Sequence, residues 1–123
     1  MEWTFHYHAE PNYLEVIISG DISPDELNRM AVERWQELRK HDCNKILFDF
    51  TRITNSLKTL DIYSRPEQSE KVGVMRTNHS VAVVPEIYIN DFRFLETVYQ
   101  NRGFDLNVFT DRQDAIDHLA GAS

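Results

Sequence analysis

The stretch from residue 45 to residue 51, Lys-Ile-Leu-Phe-Asp-Phe-Thr, is mostly apolar and shows no alternation before Asp49. Continuous apolar character of this kind is typical of a parallel strand that is covered on both faces. We therefore predict a central strand at residues 45–50, with helices packed above and below it. The loop that follows, residues 51–58, leaves the carboxyl end of this strand, where ligands and partners of open α/β sheets usually engage.

Two amphipathic strands precede this central strand. Residues 2–8 and 13–19 alternate between apolar and polar positions, and residues 10–12 supply a proline–asparagine turn between them. The pattern predicts an antiparallel hairpin, with its first strand at an edge of the sheet. The apolar face of the hairpin consists of Trp3, Phe5, Tyr7, Leu14, Val16 and Ile18.

A helical period follows the hairpin. Ser23 is a candidate N-cap, Pro24 suits the first helical position, and Glu26 completes a capping box. The helix is predicted to end in the basic turn at residues 39–41, which complements the helix dipole. Its apolar stripe consists of Leu27, Ala31, Trp35 and Leu38.

The second half of the chain alternates between strand and helix patterns. Because proline is disfavoured beyond the first turn of a helix, Pro66 should lie at a helix start. We therefore predict a short helix from about Arg65 to about Val74. Strands are predicted at residues 79–85 and 104–109, and a helix at residues 90–102. A last helix, capped by residues 110–113, has Ala115, Ile116 and Leu119 on its inner face.

This order of elements predicts an α/β fold in one domain, residues 1–123. The sheet is mixed and has about five strands, built from an N-terminal antiparallel hairpin and parallel βα units, with about four helices. A chain of 123 residues suits a single core.

Composition narrows the functional classes. The 13 basic and 20 acidic residues give a net charge of −7, which disfavours binding to nucleic acid or docking on an anionic membrane by charge. No apolar run approaches the roughly 20 residues of a membrane span. With Cys43 as the sole cysteine and no secretory signal at the N-terminus, we expect a cytoplasmic protein without disulfides.

The chain resembles the STAS fold of the anti-sigma-factor antagonists, and within it the SpoIIAA-like group of small bacterial proteins. The resemblance spans nearly the whole chain and rests on structural motifs of strands, turns and caps. In the N-terminal half they are Ser19-Gly20-Asp21 and residues 47–54; in the C-terminal half they are residues 81–85, 101–104, 108–111 and 115–119.

The resemblance implies a regulatory module that binds a protein partner through residues 51–58 and the following helix. The contact residues on this interpretation are Arg52, Thr54, Asn55, Ser56 and Lys58. Antagonists that switch by phosphorylation carry Asp-Ser-Ser/Thr-Gly in this loop. Here Asn55 stands in place of the aspartate and the glycine is absent. Because Pro66 argues against a helix that starts directly after Ser56, we do not expect helix N–H groups there to hold a phosphate.

An alternative function is the binding of an apolar small molecule or lipid in a groove at the carboxyl ends of the strands. Asp49, Tyr63, Tyr88 and Phe92 are the candidate groove residues. If Asp49 is buried after so apolar a strand, it must accept hydrogen bonds or its pKa will rise.

Catalysis and metal binding have weaker support in the sequence. His6 and His8 share one strand face at a spacing that metal ligands use, but no third ligand is evident. No nucleophile elbow and no glycine-rich phosphate loop is present. We therefore expect neither an enzyme nor a cofactor or metal. Because the strand at residues 2–8 is predicted to lie at an edge of the sheet, two copies can pair through it, and we expect a homodimer.

Overall fold

The computed structural model describes residues 1–71 and 77–122, and for residues 60 and 69–71 it describes the backbone alone. Five strands form one sheet in the order β1-β2-β3-β4-β5. Strands β1 and β2 pair in the antiparallel sense, and β2 to β5 are parallel. The predicted α/β fold with a mixed sheet, a central third strand and β1 at an edge is therefore confirmed.

The strands coincide closely with the apolar patterns. Their bounds are β1 Glu2–His8, β2 Tyr13–Gly20, β3 Lys45–Ile53, β4 His79–Val83 and β5 Asp105–Phe109. The central strand is three residues longer than predicted, because Arg52 and Ile53 pair with Ser19 and Gly20 of β2 beyond a register shift. The loop after β3 is therefore residues 54–58, and the prediction that it begins at residue 51 was wrong.

The helices are α1 Pro24–Lys40, α2 Thr59–Lys71, α3 Ile89–Asn101 and α4 Arg112–Ala120, and a 3₁₀ turn, Glu86–Tyr88, leads into α3. In α1 the Ser23 side chain forms no cap hydrogen bond, contrary to the predicted capping box. The Ser23 carbonyl instead accepts the first helical bond from the Leu27 N–H at 2.9 Å. In α4, Asp111 caps the helix by accepting from the Asp114 N–H.

Helix α2 departs most from its prediction. It begins at Thr59, six residues before the predicted Arg65, and contains Pro66 in its interior. A proline there removes one helical hydrogen bond, yet Ile62 and Arg65 are both buried against neighbouring elements. Tertiary packing on this side of the sheet outweighs the local preference. The predicted end near Val74 lies outside the described residues.

The two faces of the sheet carry separate cores. Residues at even positions of β2 and β3 face α1, α2 and α3, whose buried members are Leu27, Met30, Ile62, Phe92 and Leu95 among others. Tyr13 of β2 and Leu47 of β3 face the other way, towards α4, which contributes Ala115 and Leu119 to a smaller cluster that also contains Val81 and Val83. Strand β3 is thus covered on both faces, and the carboxyl ends of β2 to β5 meet at one edge.

Candidate functional site

The loop after β3 is fastened to the segment that leaves β2. Gly20, at φ 83°, turns the chain and accepts a hydrogen bond from the Thr54 N–H at 3.0 Å. That φ lies in the left-handed region, which glycine adopts without the strain that a Cβ causes. The Thr54 hydroxyl donates to the Asp21 carboxylate. The two N-terminal motifs that carry the family resemblance are therefore in direct contact.

Asn55 completes this junction. Its Oδ1 accepts from the Ile22 N–H at 2.6 Å, and its Nδ2 donates to the Ile22 carbonyl at 3.4 Å. Ile22 is a buried residue, and the amide of Asn55 satisfies both its backbone N–H and its carbonyl. The carboxamide of Asn55 thus holds the loop in place.

Ser56 lies between this junction and α2. Its hydroxyl oxygen is buried, and no hydrogen-bond partner for it is found among the described residues. The Lys58 carbonyl accepts the first helical bond from the Ile62 N–H at 3.0 Å, so the helix starts three residues after Ser56. The helix does not begin directly after Ser56, but it begins much nearer to it than the predicted start at Arg65.

The remaining predicted contact residues are open to solvent. Arg52, at the end of β3, and Lys58, before α2, are both exposed. Apolar side chains are also exposed near this edge of the sheet. Tyr63 of α2 is 58% exposed, with its ring edge against Phe94 of α3, and Ile87, in the turn after β4, is 82% exposed. Exposed cations and exposed apolar side chains therefore both occur in the segments that follow β3 and β4 in the chain.

The four predicted groove residues do not come together. Phe92 is buried in the larger core, where its ring centroid lies 5.0 Å from that of Phe50. Tyr88 packs partly buried on the same core, and Tyr63 lies exposed on α2. Asp49 lies on the opposite face of the sheet, where it accepts from the N–H and the hydroxyl of Thr51 at 2.9 and 2.6 Å. A groove lined by all four residues is therefore not formed.

Beside Asp49, the sheet face under α4 holds a buried ionic cluster that the sequence patterns missed. Glu15 of β2 is 5% exposed; it accepts from Arg112 at 2.5 Å and bonds His8 at 2.9 Å. Arg112 also lies 4.0 Å from Asp49. Burial alone raises the pKa of Glu15, but the hydrogen bonds from Arg112 and His8 outweigh it, and the pKa lies below its ordinary value.

Arg34 and Arg65 are two further buried charges that the patterns missed. A signal for Arg34 was present, since it lies three residues after Ala31 and four before Leu38, within the apolar stripe of α1. Arg65 gave no such signal, because its helix was predicted to begin only at that residue.

The histidines have ordinary partners. His6 lies 3.3 Å from the Thr4 hydroxyl, and His8 bonds Glu15. Over residues 1–71 and 77–122, no cluster of three or more histidine, cysteine or acidic side chains is suited to hold a metal ion. Over the same residues no helix has the length and apolar character of a membrane span.

Solved structures with the same arrangement are known, although no family model and no curated protein sequence matches the chain. One is an uncharacterized protein of the DUF3478 family with a SpoIIAA-like fold from Shewanella loihica PV-4. It has a TM-score of 0.60 and 16% identity, over 96% of this chain and 92% of that one. This chain has a SpoIIAA-like fold.

A second match is to SpoIIAA itself, the anti-sigma factor antagonist, in its unphosphorylated form. The TM-score is 0.52 and the identity 13%, over 99% of each chain. At this level of identity the two matches establish the fold. They agree with the SpoIIAA-like resemblance that the strand and turn motifs indicated.

Proposed function

We propose that this chain is a cytoplasmic, non-catalytic regulatory module that binds a protein partner. The partner contacts the loop at residues 54–58, the end of β3 at Arg52, and the start of α2. The likeness in fold to an anti-sigma factor antagonist supports a regulatory interaction module. The observation that carries the proposal is the anchored loop beside exposed Arg52 and Lys58.

The geometry divides the proposed contact residues into two groups. The side chain of Thr54 forms a hydrogen bond to Asp21, and the side chain of Asn55 forms one to Ile22. These two residues therefore hold the loop in its conformation. Arg52 and Lys58 are exposed and form no ion pair with any described carboxylate, so they are free to meet an acidic partner. The exposed Ile87 adds an apolar contact at the same edge of the sheet. A partner with an acidic and apolar surface fits this combination.

The test is capture of partners from the native lysate, quantified by mass spectrometry. Lys58→Glu is compared with its matched control Lys40→Glu, which reverses an exposed charge at the far end of α1. We expect one partner to be lost with Lys58→Glu and with Ser56→Asp, and to be retained with Lys40→Glu. Equal capture by all variants, or no enriched partner, contradicts the proposal.

We also propose that two copies pair through β1, since this strand lies at the edge of the sheet. Light scattering coupled to size exclusion gives the mass directly. A dimer mass that falls to the monomer with His6→Lys, an exposed position of β1, supports the pairing. A monomer at all concentrations contradicts it.

A further inference from the structure

A cavity of about 90 Å³ lies between the sheet and the three helices α1, α2 and α3. Aromatic and aliphatic side chains form most of its wall, including Phe48, Phe50, Phe92 and Leu95. Two guanidinium groups, those of Arg34 and Arg65, line the same space. An apolar wall with two cations is an unusual composition for a cavity inside a protein core.

Both cations are withdrawn from water. Arg34 is 7% exposed and Arg65 is 6% exposed. Charged side chains are almost never buried this far without a partner, because desolvation of an ion costs several kcal/mol. A buried arginine is usually paired with an acidic side chain, whose attraction offsets the desolvation cost.

No such acidic partner is found among the described residues. Neither guanidinium forms an ion pair with a described carboxylate. Arg65 donates one hydrogen bond, to Asn28 at 2.9 Å, and Arg34 lies 5.0 Å above the ring centroid of Phe48. A guanidinium has five N–H donors, so most of the donors of this pair have no acceptor in the described chain.

One carboxylate does line the cavity, but it is already engaged. Asp105 bonds His79 at 2.6 Å and accepts from Asn107 at 2.9 Å. Burial, opposed in part by Tyr99 and assisted by the nearby charge of Arg65, lowers the pKa of Arg34 to about 10. Two guanidinium groups and one carboxylate line the cavity among the described residues, so it carries excess positive charge.

We propose that this cavity binds a small organic monocarboxylate with an apolar body. The carboxylate lies at Arg34 and Arg65, a pairing for which guanidinium geometry is well suited. The apolar body packs against Phe48, Phe50 and Phe92. A volume of about 90 Å³ corresponds to roughly three water molecules, which limits the ligand to a few carbon atoms. Leu57 of the partner-binding loop also lines the cavity, so the two sites are adjacent, but the cations that define this one lie on α1 and α2 and the proposal does not rest on partner binding.

The experiment is an NMR titration of the ¹⁵N-labelled protein with butyrate at fixed ionic strength. The side-chain Nε–H signal of Arg34 is the readout. Two control probes separate the contributions: 1-butanol has the same tail without charge, and inorganic phosphate has charge without a tail. We expect saturable shifts with butyrate, and binding at least tenfold weaker for both controls.

Variants test the assignment to these arginines. Arg34→Met and Arg65→Met are each expected to weaken butyrate binding at least tenfold. The matched control Arg29→Met, on the same helix with its side chain 66% exposed, is expected to bind butyrate as wild type does. Without ligand, Arg34→Met should melt no lower than wild type, because it replaces an unpaired buried cation by an apolar side chain.

The proposal is wrong if wild type shows no saturable shift with butyrate, whatever the variants do. It is also wrong if butanol or phosphate binds as well as butyrate, or if Arg34→Met and Arg65→Met both retain wild-type binding. Should one variant fail to fold, the other variant and the wild-type titration still decide the question. The butyrate titration does not depend on whether Lys58→Glu loses a partner. The proposal of carboxylate binding and the proposal of partner binding can therefore fail independently.

Discussion

Arg112, the first residue of α4, donates a hydrogen bond of 2.5 Å to Glu15 in β2, 97 residues earlier in the chain. The contact joins the last helix to the N-terminal hairpin across the smaller core. Glu15 is buried there, while the Arg112 side chain remains 43% exposed. The bond therefore fixes the start of α4 over the face of the sheet that carries the smaller core.

Replacement of Arg112 tests the strength of this link. Arg112→Met leaves the Glu15 carboxylate buried with His8 alone, and we expect the free energy of unfolding to fall by about 1.5–3 kcal/mol. Urea unfolding of wild type, Arg112→Met, Glu15→Gln and the double variant gives a double-mutant cycle. A coupling energy indistinguishable from zero shows that the contact does not stabilise the protein.

The same contact predicts a dependence on pH. The pKa of Glu15 in the folded protein lies below its ordinary value of 4.5. On acidification the unfolded chain therefore takes up the proton first, which favours unfolding. The contribution of ionised Glu15 is fully present above the ordinary pKa and is lost as the pH falls through the lower folded pKa.

The measurement is the unfolding free energy of wild type and Glu15→Gln between pH 3 and pH 7. We expect the advantage of wild type to be constant above about pH 5 and to shrink below pH 4.5. An advantage that grows on acidification means that the pKa shift has the opposite sign.

Asn55 gives a prediction about the candidate site. Asn55→Ala removes the acceptor of the buried Ile22 N–H, and we expect a loss of about 1–3 kcal/mol in unfolding free energy. The control Asn90→Ala alters an exposed position of α3 and should change stability by less than about 0.5 kcal/mol. Denaturant unfolding measures both. Equal effects of the two variants mean that the junction is not held by Asn55.

Leu119 tests the smaller core. It is fully buried on the inner side of α4, the helix that packs on this face of the sheet. Leu119→Ala is expected to lower the unfolding free energy by about 2–5 kcal/mol, through lost burial and the cavity left behind. Val32→Ala, at a 44% exposed position of α1, is the control and should have little effect. Thermal unfolding distinguishes them.

Local patterns were sufficient for most of the architecture. Strands β1 and β2 were recognised from alternating polarity and β3 from its continuous apolar run. Both patterns are read from adjacent residues, so no tertiary contact is needed to recognise them. They predicted the hairpin, the parallel units and the central position of β3. The candidate loop was also located from sequence, because it had only to follow that strand.

The site residues themselves required the tertiary structure. Tyr63, Asp49 and Phe92 lie in or near apolar segments of the sequence, yet Tyr63 is exposed on α2, Phe92 is buried in the larger core, and Asp49 lies on the opposite face of the sheet. No local pattern distinguishes the two faces of a sheet. The groove prediction failed for this reason.

The sequence by itself determined the order of strands and helices, because periodicity and turn chemistry act over a few neighbouring residues. Tertiary structure alone decided that α2 passes through Pro66, that Glu15 is buried, and that Arg34 and Arg65 share a cavity. A polar residue in an alternating strand is expected to have its side chain exposed to solvent. Such a side chain becomes buried only when a distant helix such as α4 packs over it. Burial is a property of contacts between distant segments, and the local sequence does not encode it.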